Sequence, residues 1–347
     1  MESKKIHEKP AKLIFSAMET LPSAADVLTR CDLKLIRNNI PNSRLSVLPK
    51  MPKDLLEAQD VLQKINVSTV KGDTFLLKNV KDAGIVMFSC LSNLQCMCKC
   101  EVILVDETFD AAPKFFIQMF TVHGYYKENY IPFVFCLLKD KRKDSYAQSE
   151  CDKRGLRFSP KTIVSDFERG IQESIRAGPP RKKEEFLLLS RWRKIQQLGL
   201  SRHYKERDSP TGRWLRYCFG LAYLSPEDVE VQKTTSTIDV DENTPYPPST
   251  WAADSSDLWR TTNSFESFHS RFSSFFGATN PNIFIFVKNL NLIQSDTYIR
   301  INTAEASGPR KITKKELFIN EKIAEFKNGK IGYFDFLNAV SYKTKTI

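Results

Sequence analysis

Apolar positions along the chain fall into two patterns, one near a helical period and one of short continuous runs. From Ser23 to Ile40, Val27, Leu28, Cys31, Leu35 and Ile36 recur at three- and four-residue steps, which predicts a helix capped by Ser23. Pro41, Pro49 and Pro52 then break the chain, and a second short helix is predicted over Leu55 to Ile65. The β-rich runs Thr74–Leu77 and Ile85–Phe88 flank Lys78–Gly84 as the two arms of a hairpin. Val102 to Val105 is a short apolar run ending at Asp106. Runs over Phe115–His123 and Ile131–Leu138 follow, joined by the polar links 107–114 and 124–130. Three β runs with short connections predict an antiparallel meander. A fourth run, Lys161 to Val164, leads to Asp166, and Phe167 to Ala177 reads as a helix.

The remainder is predicted to be mainly helical. Residues 183 to 224 read as helical apart from Gly199 and the Pro210–Gly212 turn. Val229 to Thr250 is polar and proline-containing and reads as a loop. Phe265, Phe268, Phe272 and Phe275 form one stripe on a helix over Ser264–Phe276, a core-packing pattern. Val287–Ile293 adds to the helical set, and the basic tail from Ser307 carries a weak amphipathic helix over Glu316–Phe326. No internal repeat is visible.

With 347 residues the chain is long enough for one large domain or two ordinary ones. No apolar run approaches the roughly 18 residues of a membrane span. The charged Met1–Lys12 stretch lacks the apolar segment of a secretory signal. A soluble protein with free thiols is therefore expected from its 8 cysteines. Cys90, Cys96, Cys98 and Cys100 cluster, but their single-residue gaps alternate as in a strand and do not give the paired spacing of a zinc site. The net charge of +11 admits a polyanionic partner. Between Arg176 and Arg216, 12 basic residues face only Glu184, Glu185, Glu206 and Asp208, with Trp192 and Trp214 among them. That is a pattern for tracking a phosphate backbone or for a solvated amphipathic helix.

Two acids follow apolar β runs, Asp106 after Val105 and Asp166 after Val164-Ser165, and Glu266 borders the phenylalanine stripe. Acids at strand ends reach a crevice while the strand stays buried. Three converging carboxylates repel unless they hold cations, and hard ions such as Mg²⁺ or Mn²⁺ take oxygen ligands. The alternative is an ordinary turn-forming Asp and a solvated Glu. There is no glycine-rich phosphate loop and no Ser-His-Asp or Cys-His set. His123, at the end of a β run, reads as a satisfied core-edge residue.

The segment Val102–Tyr146 (VILVDETFDAAPKFFIQMFTVHGYYKENYIPFVFCLLKDKRKDSY) resembles the first block of MULE (Mutator-like) transposase domains. Lys161–Gly170 (KTIVSDFERG) resembles the second block and Trp259–Phe272 (WRTTNSFESFHSRF) the third. Trp192–Tyr204 and Tyr217–Leu224 resemble the family's inserted helical region, so the likeness runs over roughly residues 100 to 300. It implies an α/β fold, an RNase H-like mixed sheet with flanking helices. A helical insertion over 177–263, a mostly helical lead-in over 1–100 like that of insect-type members, and a basic tail over 301–347 complete the expected organisation. It further implies Asp106, Asp166 and Glu266 as catalytic, metal-binding acids for Mg²⁺ or Mn²⁺. Arg260, His269, Arg191, Arg193 and Lys194 are expected against double-stranded DNA at transposon ends, in the nucleus, with a homo-oligomer as a further expected state.

The chain departs from the family pattern in four places. Glu107 stands where the family usually has Gly, and Arg181–Arg191 lacks the usual Cys-x-x-His pair. The helix expected near Tyr146–Gly155 looks short, and helical sequence is reduced over Val229–Tyr246. No FLYWCH zinc-finger pattern is visible. Three readings stay open: a DNA nicking and strand-transfer enzyme, a domesticated non-catalytic DNA-binding or protein-interaction module on the same fold, and a basic scaffold whose acids are incidental.

Overall fold

A computed structural model describes residues 29–32, 34–35, 48–108, 112–127, 129–139, 146–165, 183–186, 195–196, 198–206, 209–231, 248, 252, 255, 272, 280–306 and 312–343. Helix α1 (Leu55–Lys64) starts where Asp54 accepts from the Glu57 amide, and leads to strands β1 (Leu76–Val80) and β2 (Ile85–Phe88). Helix α2 (Leu91–Met97) follows, then β3 (Val102–Thr108), β4 (Gln118–Tyr126) and β5 (Asn129–Leu138). Helix α3 (Tyr146–Asp152) precedes β6 (Thr162–Ser165), and β7 (Lys183–Phe186) comes next. A helical part comprises α4 (Ser201–Lys205), α5 (Pro210–Gly220) and α6 (Pro226–Val231). The long α7 (Ile283–Ala306), α8 (Lys314–Lys327) and α9 (Tyr333–Lys343) close the order.

The protein is α/β, and the seven strands among the described residues form one mixed sheet in the order β1-β2-β5-β4-β3-β6-β7. The first five are joined antiparallel, β3 to β6 and β6 to β7 parallel. The hairpin and meander stand as expected, although β4 begins at Gln118, past a turn in which Phe115 takes φ 81°. The β5 pattern is apolar at nearly every position, with Ile131 to Leu138 all buried, as befits a strand covered on both faces.

Register and packing sort the side chains. Ile103, Val105, Val122, Val134 and Ile163 join Leu94, Met97, Cys151 and Phe158 in one cluster. On the other face, Phe88, Phe135 and Leu137 pack with Leu62 of α1 and with Phe286, Val287, Leu290 and Ile293 of α7. Phe272, the one described residue of the phenylalanine stripe, is buried here and stacks on Phe135 at 6.2 Å between centroids. Helix α7 carries buried polar residues within this packing. Gln294 and Asn93 exchange amide hydrogen bonds of 2.8 and 2.9 Å, and Asn93 also donates to the Phe133 carbonyl.

Three local expectations change. Cys96, Cys98 and Cys100, whose spacing alternates as in a strand, fall on the end of helix α2 and the turn after it, because Leu94 and Met97 at helical spacing bury against β4 and β5. The segment read as helical from residue 183 opens with strand β7, where the free edge of β6 supplies backbone partners that outweigh the polar sequence Lys183–Phe186. Among the described residues beyond 307 there are two helices. Phe336, Leu337 and Val340 of the second pack with Leu221, Tyr223 and Ile319. The expected helices over 167–177 and 264–276, apart from Phe272, lie outside the described residues.

Candidate functional site around Asp106

Strand β3 delivers Asp106 from the middle of the sheet. Leu104 and Val105 are buried, and Asp106 itself is half-buried at the point where the apolar run ends. The strand is held on both sides: Asp106 pairs with Thr121 of β4, while Val102 to Val105 pair with Thr162 to Ser165 of β6. Backbone fixed by two neighbours leaves little freedom for a side chain that must be positioned. Thr121 and His123 alternate on β4, so they share the face of Asp106 and Leu104. Both are buried. The Thr121 hydroxyl donates to the Asp106 carbonyl at 3.4 Å, and His123 Nε2 lies 2.9 Å from that hydroxyl. A threonine proton given to the carbonyl requires the histidine to donate from Nε2, which fixes the tautomer. His123 is thus a satisfied buried histidine, as its sequence position suggested.

The end of the sheet that carries Asp106 also carries a small pocket lined by Met51, Pro52, Lys114, Phe115, Asn282 and Ile283, of about 200 Å³. The Lys114 amide donates to the Pro281 carbonyl at 3.3 Å, tying this turn to the start of α7. Phe115 adopts a positive φ, a conformation that is strained for a bulky side chain and that neighbouring structure must enforce.

Of the residues singled out in the sequence, the structure describes Asp106. Asp166, Glu266, Arg260, His269, Arg191, Arg193 and Lys194 lie outside the described residues. Ser165, the residue before Asp166, is fully buried opposite Val105. Asp106 suits a hard cation as one oxygen donor at a half-buried strand end. Among the described residues, no group of three or more His, Cys, Asp or Glu is gathered for a metal. Two of the three candidate acids lie outside that comparison.

The basic stretch is partly structural. Arg202, Lys205, Arg213 and Trp214 are exposed, but Arg216 is buried and donates to the carbonyls of Tyr204 (2.8 Å) and Glu206 (3.2 Å). Arg216 therefore caps the end of α4 and is withdrawn from any phosphate-binding surface. The cysteines of the cluster are free thiols, with Cys96 pushed up to about 11 by burial, and Cys136 of β5 is pushed up to about 12 by the same cause. Such thiols stay protonated near neutrality. Among the described residues, no helix is long and apolar enough to cross a membrane. Comparison with protein-family models gives no match, and comparison with curated proteins gives no significant match.

Proposed function

We propose that this is a transposon-derived DNA-processing protein of the MULE type, with an RNase H-like core that nicks DNA and transfers strands. The observation that carries the reading is the sheet order around Asp106. Three antiparallel strands, β5-β4-β3, continue into two parallel ones, β6 and β7, on the far side of β3. That is the arrangement an RNase H-like core needs, and β1 and β2 extend it. Val105 pairs with Ser165 in parallel register, and Asp106 and Asp166 are the residues that follow these two in the sequence, which supports a shared site. Chain connectivity holds consecutive Cα atoms about 3.8 Å apart, which favours this reading.

In this reading Asp106, Asp166 and Glu266 hold Mg²⁺ or Mn²⁺. Bound there, the ions would supply an activated water or 3′-hydroxyl and stabilise the leaving phosphodiester oxygen. Arg260, His269, Arg191, Arg193 and Lys194 hold double-stranded DNA by its phosphates, contacts that position without reading sequence. The nucleus and a homo-oligomeric state belong to the same proposal. Glu107 and the missing Cys-x-x-His pair support a second reading, a domesticated DNA-binding or protein-interaction module that keeps the fold without the chemistry.

The deciding experiment is Mg²⁺- or Mn²⁺-dependent nicking of supercoiled plasmid by the purified chain beside Asp106→Asn. Nicking that disappears in the variant supports the enzyme. A folded chain that never nicks, yet binds DNA, supports the module. A folded chain that does neither removes the DNA-processing reading.

A further inference from the structure

Outside the Asp106 site, the described cysteines contain one close thiol pair. Cys98 Sγ lies 3.7 Å from Cys151 Sγ, across 53 positions of sequence. Cys98 ends α2 and is half-buried, so small solutes reach it; Cys151 lies in α3 and is fully buried beneath it. The neighbouring thiols are arranged differently. Cys100 is buried and donates to the Cys96 carbonyl at 3.4 Å, and Cys136 is buried within β5. A bond length of about 2.05 Å requires the two sulfurs to close by less than 2 Å, a movement within reach of modest side-chain rotation.

We propose that Cys98 and Cys151 form an intramolecular disulfide when the protein meets a low-molecular-weight disulfide, and that this bond clamps α2 to α3. The Cys98 thiolate attacks one sulfur of the small disulfide and expels one thiolate, leaving a mixed disulfide on Cys98. Cys151 then loses its proton and attacks the Cys98 sulfur, expelling the second small thiolate. Two protein thiols are oxidised, one small disulfide is reduced to two thiols, and the two protons go to those products. Burial raises both thiols, so the first step is slow at neutrality and quickens as pH rises. The closed loop contains β3, β4 and β5. Helix α2 is the element before β3 and α3 the element before β6, so the bond ties together the lead-ins of the two parallel-paired strands, the first of which carries Asp106. The pairing stands on thiol geometry and is independent of the functional reading.

The test treats the full chain with oxidised glutathione, blocks remaining thiols with iodoacetamide and maps peptides without reduction. The expected product joins the Cys98 and Cys151 peptides, and the oxidised protein melts several degrees above the reduced one until dithiothreitol is added. Cys151→Ser should instead hold glutathione on Cys98, and Cys98→Ser should leave Cys151 a free thiol. Exposed Cys31 reports that the oxidant has reacted. Glutathione on Cys31 while Cys98 and Cys151 remain alkylated would overturn the proposal. So would a bond from Cys98 to Cys96 or Cys100.

Discussion

Replacing Glu150 by glutamine isolates a buried charge that fastens α3 to the sheet. The Glu150 side chain is 5% exposed, and its carboxylate meets Arg154 at 2.6 Å, Lys153 at 3.0 Å and Lys78 of β1 at 3.4 Å. Lys153 is 59% exposed, so its share is at the surface-pair level of about 0.5 kcal/mol. Arg154 and Lys78 are 32% and 20% exposed and contribute about 1 kcal/mol each. Removing the charge recovers part of its desolvation cost, and Gln still accepts from Arg154. The net loss is therefore about 2 kcal/mol, well short of the roughly 3–5 kcal/mol of a fully buried broken pair. Urea unfolding at neutral pH should show a lower midpoint with an unchanged slope. The pH dependence supplies a second check. Burial alone would raise the Glu150 carboxyl, but hydrogen bonds and charge from Arg154, Lys153 and Lys78 outweigh it and hold the group below its ordinary 4.5. A folded-state value below the unfolded one gives stability that is present above pH 4.5 and lost as pH falls through the folded value. The gap between wild type and Glu150→Gln should shrink in acid. A gap below about 0.5 kcal/mol at neutrality, or one constant with pH, would refute the reasoning.

Other substitutions probe the sheet and its cover. A Cβ on Gly124 would sit 2.5 Å from both Cys100 Sγ and the Phe133 ring, so Gly124→Ala should cost about 1–3 kcal/mol in urea unfolding. Adding Phe133→Leu should cost less than the sum of the two single losses, because the ring is one side of the clash. The Tyr298 hydroxyl donates to the Asp73 carboxylate at 3.0 Å and lies 3.1 Å from the Thr69 hydroxyl. Tyr298→Phe should lose about 1–2 kcal/mol, and no loss would mean that this contact between α7 and the 69–73 turn adds nothing to stability.

How much was legible depended on what paid the cost of each element. The strands over Val102–Val105, Ile131–Leu138 and Thr162–Val164 are readable because they are covered on both faces and so become continuous apolar runs. Strand β7 is not, since Lys183–Phe186 draws its support from the edge of β6 and not from its own side chains. Helix α7 spans 283–306, while the pattern suggested only 287–293. Gln294 and Thr297 interrupt its apolar face, yet both are buried because Asn93 and backbone carbonyls satisfy them, information held elsewhere in the chain. At the site, Asp106 was visible as the acid that ends an apolar run. Thr121 and His123 carried a usable signal, their i, i+2 spacing on a strand, whereas nothing in the sequence announces the positive φ of Phe115.

The same distinction between local and distant contacts explains why one acid is more legible than the pair. Strands β3, β4 and β5 are joined by short links, so their order and the place of Asp106 follow from neighbouring sequence. The parallel pairing of β3 with β6 needs a crossover through residues 139–161, and parallel strands require such a connection whatever their sequence. Its register cannot be read from either strand alone, because a slip changes which residues face which side while leaving both runs apolar. Yet that register, Val105 opposite Ser165, is what supports pairing Asp106 with Asp166 in the proposed site. The proposed two-acid site would therefore depend on crossover packing, in which Cys151 and Phe158 join Ile103 and Ile163 in a single core. Mutations in that crossover should disturb the proposed chemistry while leaving both acids in place.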